Sequence, residues 1–295
     1  MKKNLLAFFT LFLFFILGNL TLGAVEITTL LHGGNLTFDK ESKNIEDSIS
    51  GTDYFYGLSL FGEQQIDDNL TLNAGFQYDP ILRYTTYTTF EYARDFYTIS
   101  VGPFFGLFNS RETIMKNGIS TGVRVDFPGT AFASFRSDSS IAARFTKAGD
   151  YLQEHNEIAL GYYIPHAICS VHLVTKRYVN QQTDDLEVDD SFTEYSYQVD
   201  IFQKNVPVRV LLSFAYQKLD RNYSLEGSSK ESNTLNSLAL GTDFRIELSP
   251  DFTLLTMLDS NIYSFGSAGG NALNLPDSGI GIYLFRCAFG AELSF

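Results

Sequence analysis

The stretch that decides the fold is LFRCAFGAELSF, residues 284–295. Taken two at a time, Phe285, Cys287, Phe289, Ala291, Leu293 and Phe295 are apolar or small. Between them stand Arg286, Ala288, Gly290, Glu292 and Ser294. A period of two means a β-strand whose faces meet different surroundings. In a soluble sandwich one face packs a core and the other meets water. In a membrane barrel one face meets lipid and the other a wet interior, and every strand must carry the same pattern.

The pattern recurs along the chain. Leu70, Leu72, Ala74, Phe76 and Tyr78 oppose Thr71, Asn73, Gly75, Gln77 and Asp79. Ile119, Val123, Val125 and Phe127 oppose Ser120, Gly122, Arg124 and Asp126. Val208, Val210, Leu212 and Phe214 oppose Arg209 and Ser213, and Leu240, Phe244, Ile246 and Leu248 oppose Asp243, Arg245 and Glu247. The second set is charged as well as polar, and glycines are scattered through it.

Connections fall into two series. Tight ones read QQIDDN, EYARD, DFPGT, YIPHA, QKNVP and LSPDF, and four of these carry the Pro that punctuates hairpins. Longer polar ones read DKESKNIEDSISG, NSRETIMKN, KAGDYLQEHN, NQQTDDLEVDDS, LDRNYSLEGSSKES and SAGGNALNLPDSG. Short turns at one end and long loops at the other are the asymmetry of outer-membrane barrels. The expected fold is therefore all-β: a transmembrane, antiparallel, up-and-down barrel of about fourteen strands, with twelve or sixteen as the alternative counts. Expected strand starts are Val25, Thr52, Leu70, Leu82, Phe96, Gly118, Thr130, Glu154, Ile168, Phe192, Val206, Leu235, Phe252 and Ser278. The connection near YDPILR is the least defined, and FASFRSDSSIAARF reads as one long or bent strand.

Export fits this reading. Lys2 and Lys3 precede an apolar run from Leu5 to Gly18, with Thr21, Gly23 and Ala24 beyond it. That is the layout of a cleaved secretory signal peptide over residues 1–23, leaving a barrel domain over residues 24–295. The run is shorter than a membrane span, which needs roughly 20 residues. Phe and Tyr number 27 and 17 with no Trp, so interfacial girdles would be built from Phe and Tyr. Cys169 and Cys287 both fall on apolar parity and read as packed hydrophobes.

The terminal strand IGIYLFRCAFGAELSF resembles the closing strand of bacterial outer-membrane barrels, and the whole chain resembles the small monomeric porins of about fourteen strands. That resemblance implies integral outer-membrane placement, a monomer, lipid as surroundings and the barrel-assembly machinery as a partner, with Phe295 as the assembly signal.

If the apolar parity meets lipid, the other parity lines the interior. The lumen candidates are Arg83, Arg124, Asp126, Arg136, Asp138, Glu194, Asp200, Arg209, Asp243, Arg245, Glu247 and Arg286. A charge at the lipid midplane costs about 2–4 kcal/mol, so these must face inward. The expected arrangement sets arginines against carboxylates across a water-filled channel, giving a transverse field. Net charge is −13, much of it in loop acids such as Asp184, Asp185, Glu187, Asp189 and Asp190. An acidic mouth favours cations, and the acidic balance argues against nucleic acid.

The functional expectation is passive passage of small hydrophilic solutes and ions, with a mild cation preference. The alternatives are a hydrophobic-substrate transporter of the fatty-acid type and a structural or adhesin barrel without an open pore. The first strand begins almost at the expected cleavage site, which leaves no room for the plug such transporters carry. No cofactor and no metal are expected. Catalysis is not expected either: the four histidines, His32, His155, His166 and His172, sit in no recognisable motif.

Overall fold

The computed structural model describes residues 25–35, 54–109, 113–140, 151–183, 186–203, 206–225, 231–268, 271–272 and 285–295. The signal-peptide expectation lies outside them, as do Asp184 and Asp185. The strands are β1 (Val25–Gly34), β2 (Phe55–Gln65), β3 (Leu70–Asp79), β4 (Arg83–Arg94), β5 (Tyr97–Asn109), β6 (Thr113–Phe127) and β7 (Ala131–Ser139). They continue as β8 (Tyr151–Ile164), β9 (Ala167–Thr183), β10 (Leu186–Phe202), β11 (Val208–Leu225), β12 (Glu231–Ser249), β13 (Phe252–Ala268), β14 (Asn271–Ala272) and β15 (Phe285–Ser294). All but the two-residue β14, which pairs only with the end of β13, form one closed antiparallel barrel of fourteen strands.

Closure is made by the terminal strands. β1 pairs with β15 from Glu26↔Ser294 to Gly34↔Arg286, and the Phe295 amide donates to the Val25 carbonyl at 2.9 Å. A closed ladder leaves no row of unpaired backbone groups. Sequence neighbours pair with each other all the way round, so the topology is up-and-down.

Local chemistry sets the turns at the termini end. Asp95, Gly129 and His166 adopt positive φ of 44°, 70° and 68°, each within a hairpin connection. One flaw in the ladder has a clear cause. Pro103 in β5 has no N–H, and β4 and β5 lose pairing between Tyr87↔Phe104 and Phe90↔Val101. Gly102 makes room there: a Cβ at that position would stand 1.9 Å from the Thr88 carbonyl oxygen.

The apolar parity points outward. Val101, Leu160 and Val171 keep 53%, 53% and 51% of their surface exposed, which no soluble core residue does. Contiguous exposure of this kind needs an apolar surrounding. At the termini end the belt finishes in Phe96, Phe127, Leu248 and Phe295, all exposed. Toward the other end the outward face turns charged. Arg177 donates to both carboxylate oxygens of Asp189 at 3.0 and 2.9 Å, and Lys218 stands 2.7 Å from Asp220. Those pairs mark where the hydrocarbon ends. Cys169 and Cys287 are free thiols on the outward parity.

Four expected loops are corrected here. Much of NSRETIMKN, KAGDYLQEHN, NQQTDDLEVDDS and LDRNYSLEGSSKES is strand: β6 begins at Thr113 and β8 at Tyr151, β9 and β10 are each 17 residues long, and β11 is 18. A membrane strand needs only about 9–11 residues, so the remainder projects beyond the bilayer with polar residues on both faces. Asp189 and Asp190 accordingly lie buried in β10 rather than in a solvated loop. The expected last-strand start near Ser278 lies outside the described residues, within which the closing strand runs from Phe285 to Ser294.

Leu212 lies outward and mid-belt on β11. Leu212→Arg is expected to destabilise the barrel by about 2–4 kcal/mol. Urea unfolding in phospholipid vesicles measures it, and an unchanged midpoint would contradict the assignment of that face to lipid.

Candidate functional site

Inward parity gathers the predicted charges on one continuous inner wall. Residues i and i+2 on a strand share a face, and a long arginine reaches a short aspartate two residues on. Arg124 thus meets Asp126 through Nε at 2.6 Å and Nη2 at 2.9 Å, with the Tyr163 hydroxyl bonded to both partners. Arg136 donates to Asp138 at 3.1 Å on the same principle. Asp138 also accepts from Ser120 at 2.5 Å, with His155 Nδ1 3.6 Å away.

Other pairs join neighbouring strands. Arg209 Nε donates to Asp200 at 2.7 Å, Arg286 Nη2 to Asp259 at 2.5 Å, and Gln217 to Glu194 at 2.8 Å. Arg245 pairs with Glu292, which lies on β15 beyond β13. Asp243 and Glu247 have no ion pair among the described residues. Arg83 stands at the start of β4.

This arrangement corrects the expected transverse field. Arginines and carboxylates are matched along the wall, within reach of each other, rather than facing across an open bore. Charges neutralised at hydrogen-bond distance leave little field at the axis.

The interior is interrupted by a feature that the sequence reading left undefined. The β3–β4 connection, Pro80 to Leu82, folds into the lumen. Asp79 shapes it: its Oδ1 accepts from the backbone amides of Ile81 at 2.8 Å and Leu82 at 3.0 Å. Such a side-chain cap is why Asp-Pro is a turn signal. The other carboxylate oxygen receives Lys176 Nζ of β9 at 2.5 Å. Gln153 of β8 donates to the Leu82 carbonyl, and Leu82, 1% exposed, packs on Tyr178 of β9. Arg83 then returns the chain to β4 at φ 65°, a left-handed conformation that costs an L-residue roughly 1–2 kcal/mol. Burying Leu82 offsets that, at about 1.5–3 kcal/mol for a full side chain.

The turn therefore bridges the lumen from β3 and β4 to β8 and β9, and open space lies around it. Toward the termini end is a cavity of about 490 Å³, lined by Glu26, Glu63, Glu91, Arg124, Arg136 and Glu157 among others. Beside the turn is one of about 270 Å³, reached by Asp79, Lys176, Glu194, Gln198 and Arg286. The two large cavities differ in charge. In the first, both arginines are already matched to aspartates, whereas Glu26, Glu63 and Glu91 have no basic partner within ion-pair distance among the described residues.

Sequence reasoning missed Asp79, Gln153, Lys176 and Asp259. One signal was present: Ile81 and Leu82 are apolar residues in a connection, where an exposed loop is polar. Sequence reasoning found no motif around His172, and the structure sets it between Ser170 and Glu157 at hydrogen-bond distance from each.

No family model matches the chain, and no curated protein matches it in sequence. Several solved structures are similar to it. A bacterial polysaccharide outer membrane secretin is 12% identical, with 92% of this chain and 98% of that chain covered and a TM-score of 0.47. OmpT, an outer membrane protein of Vibrio cholerae, is 10% identical over 92% and 98% of the two chains, with a TM-score of 0.39. The CymD monoaromatic hydrocarbon channel is 9% identical over 92% and 89%, with a TM-score of 0.38.

The two ends of the Asp79–Lys176 pair are not equivalent. Asp79→Ala removes the turn's cap and leaves a part-buried ammonium unmatched, and is expected to cost on the order of 3 kcal/mol. Lys176→Met leaves Asp79 held by two backbone amides and should cost less. Unfolding midpoints of the two variants check the order. Limited proteolysis should cut between Asp79 and Arg83 in the Asp79→Ala protein alone.

Proposed function

We propose that the chain is an outer-membrane channel for small hydrophilic solutes and ions, with a mild preference for cations. The observation that carries this reading is the acid-lined cavity at the termini end. Glu26, Glu63 and Glu91 face it unmatched, while every arginine named on its wall has an aspartate partner. Unmatched carboxylates in a low-dielectric bore raise the local cation concentration and repel anions. The inward-folded turn would set the narrowest passage, and its tethers would decide how far it opens. The net charge of −13 points the same way.

Single-channel recording across a planar bilayer with a salt gradient tests this. Stable ohmic steps are expected, with a reversal potential on the cation-selective side. In Glu26→Gln/Glu63→Gln/Glu91→Gln that potential should move toward zero, while Leu212→Val leaves it unchanged. Absence of conductance from verified folded protein would end the channel reading.

The same reading assigns Phe295 to recognition by the barrel-assembly machinery. Its backbone continues the closing ladder, while its ring is 67% exposed on the outer face and thus free to be read before insertion. Phe295→Asp is expected to give a several-fold loss of protein in the outer membrane, with unit conductance unaltered in what does assemble. Quantitative immunoblotting of membrane fractions measures the first.

A further inference from the structure

Ser170, His172 and Glu157 form a hydrogen-bonded chain on the inner wall, apart from the tethers of the turn. Ser170 and His172 are alternate residues of β9, so both face the lumen. Ser170 Oγ stands 2.8 Å from His172 Nε2, and His172 Nδ1 stands 3.0 Å from Glu157 Oε1 on β8. An ionised carboxylate only accepts, so Nδ1 carries the proton and donates to Glu157. Nε2 is then left with its lone pair, and the Ser170 hydroxyl donates to it. That is the orientation a general base needs in front of a nucleophilic hydroxyl, with the carboxylate holding the imidazole in the useful tautomer.

The other lumen histidines lack the arrangement. His32 Nε2 meets the Ser59 hydroxyl at 2.8 Å but has no hydrogen-bonded carboxylate among the described residues. His155 lies 3.6 Å from Asp138, and its buried Nδ1 has no hydrogen bond among the described residues. Among the described residues, only His172 has a hydroxyl on one ring nitrogen and a carboxylate on the other.

The surroundings of Ser170 complete the chemistry. Its register partners are Gly161 on β8 and Gln198 on β10. Gly161 presents no side chain, and the Phe132 ring occupies that space, 2.3 Å from where a Cβ would stand. Gln198 is the β10 residue in register with Ser170, and its side-chain amide, 3.5 Å from the Ser196 hydroxyl, is of the kind that donates to an oxygen gaining negative charge. Glu157 and Gln198, which flank β9 on either side, both line the 270 Å³ cavity, along with apolar Val174, Phe192 and Phe285.

We infer that Ser170, His172 and Glu157 are an acyl-hydrolase centre in the lumen, taking carboxylic esters with a short acyl chain. Ser170 Oγ bonds to the ester carbonyl carbon as its proton passes to His172 Nε2. Gln198 donates to the carbonyl oxygen as charge develops there. The tetrahedral intermediate collapses with cleavage of the carbon–oxygen bond to the alcohol, which leaves with the proton from His172. Water then attacks the Ser170 ester with His172 as base, releasing the carboxylic acid and restoring the serine hydroxyl. No oxidant or metal enters the balance.

The test uses the full chain refolded in detergent, with folding verified by heat-modifiable gel mobility. The probes are a fluorophosphonate, followed by peptide mass mapping, and p-nitrophenyl butyrate. Ser170 is expected to be the labelled serine, with labelling and hydrolysis abolished in Ser170→Ala. His172→Ala should label about 10²- to 10⁴-fold more slowly, the range a general base supplies. Glu157→Gln keeps the shape but not the charge, and should be slowed less, with its rate-versus-pH curve displaced from that of the parent. The proposal is overturned if folded protein leaves Ser170 unlabelled, if label spreads over other serines at equal rate, or if His172→Ala labels as fast as the parent.

Discussion

Everything in this structure depends on the pairing of β1 with β15. Backbone N–H and C=O groups have no partner in hydrocarbon, so a strand-built membrane protein must be closed. Here closure is carried by residues about as far apart as the chain allows, from Glu26 against Ser294 to Gly34 against Arg286. Until that seam forms, both terminal strands expose a free edge bordered by apolar side chains. Gly290 sits where the seam is tightest: a Cβ there would stand 1.9 Å from the Thr29 carbonyl oxygen. The alternation in the last twelve residues thus answers to two demands at once, lipid on one side and a close partner strand along the edge.

Closure also fixes the chemistry of the inside. Once register is set, each strand contributes alternate residues to the lumen, and charged side chains must find partners among a few fixed neighbours. Two solutions recur. Arg124–Asp126 and Arg136–Asp138 pair along one strand, whereas Arg209–Asp200 and Arg286–Asp259 pair across neighbouring strands. Pairing within the wall keeps these arginines beside their carboxylates at hydrogen-bond distance. The same logic explains the acids that stay unmatched. Glu63 lies directly opposite Glu26 in the β1–β2 register, and Asn73, not a base, stands next to it on β3.

The barrel was legible in the sequence because a period of two is a local signal repeated on every strand. Val25, Leu70 and Phe252 begin strands where alternation places them. The inward face was legible for the same reason. What could not be read is pairing, because the partner of Arg245 is Glu292 and the partner of Lys176 is Asp79, and neither is near in sequence. The strand extensions were obscured by composition. Once β9 and β10 rise above the bilayer both faces are wet, alternation disappears, and Asp189 and Asp190 look like loop residues. Ser170-x-His172 is alternation too, but it becomes chemistry only when β8 sets Glu157 beside it.

The inward-folded turn and the Ser170–His172–Glu157 chain are linked by the strands that hold them. Gln153 and Glu157 lie two pleats apart on β8, and Lys176 and His172 lie two pleats apart on β9. The turn is tethered to the first residue of each pair, and the hydrogen-bonded chain is built on the second. Whatever shifts the turn therefore changes access to the wall just below it without disturbing the ladder, because the tethers are side chains and the strands are fixed by their own backbone pairing. Glu157 lines both the acid-lined cavity and the cavity beside the turn. A solute moving between them must pass that carboxylate, so the route through the barrel and the candidate reaction centre share one stretch of wall.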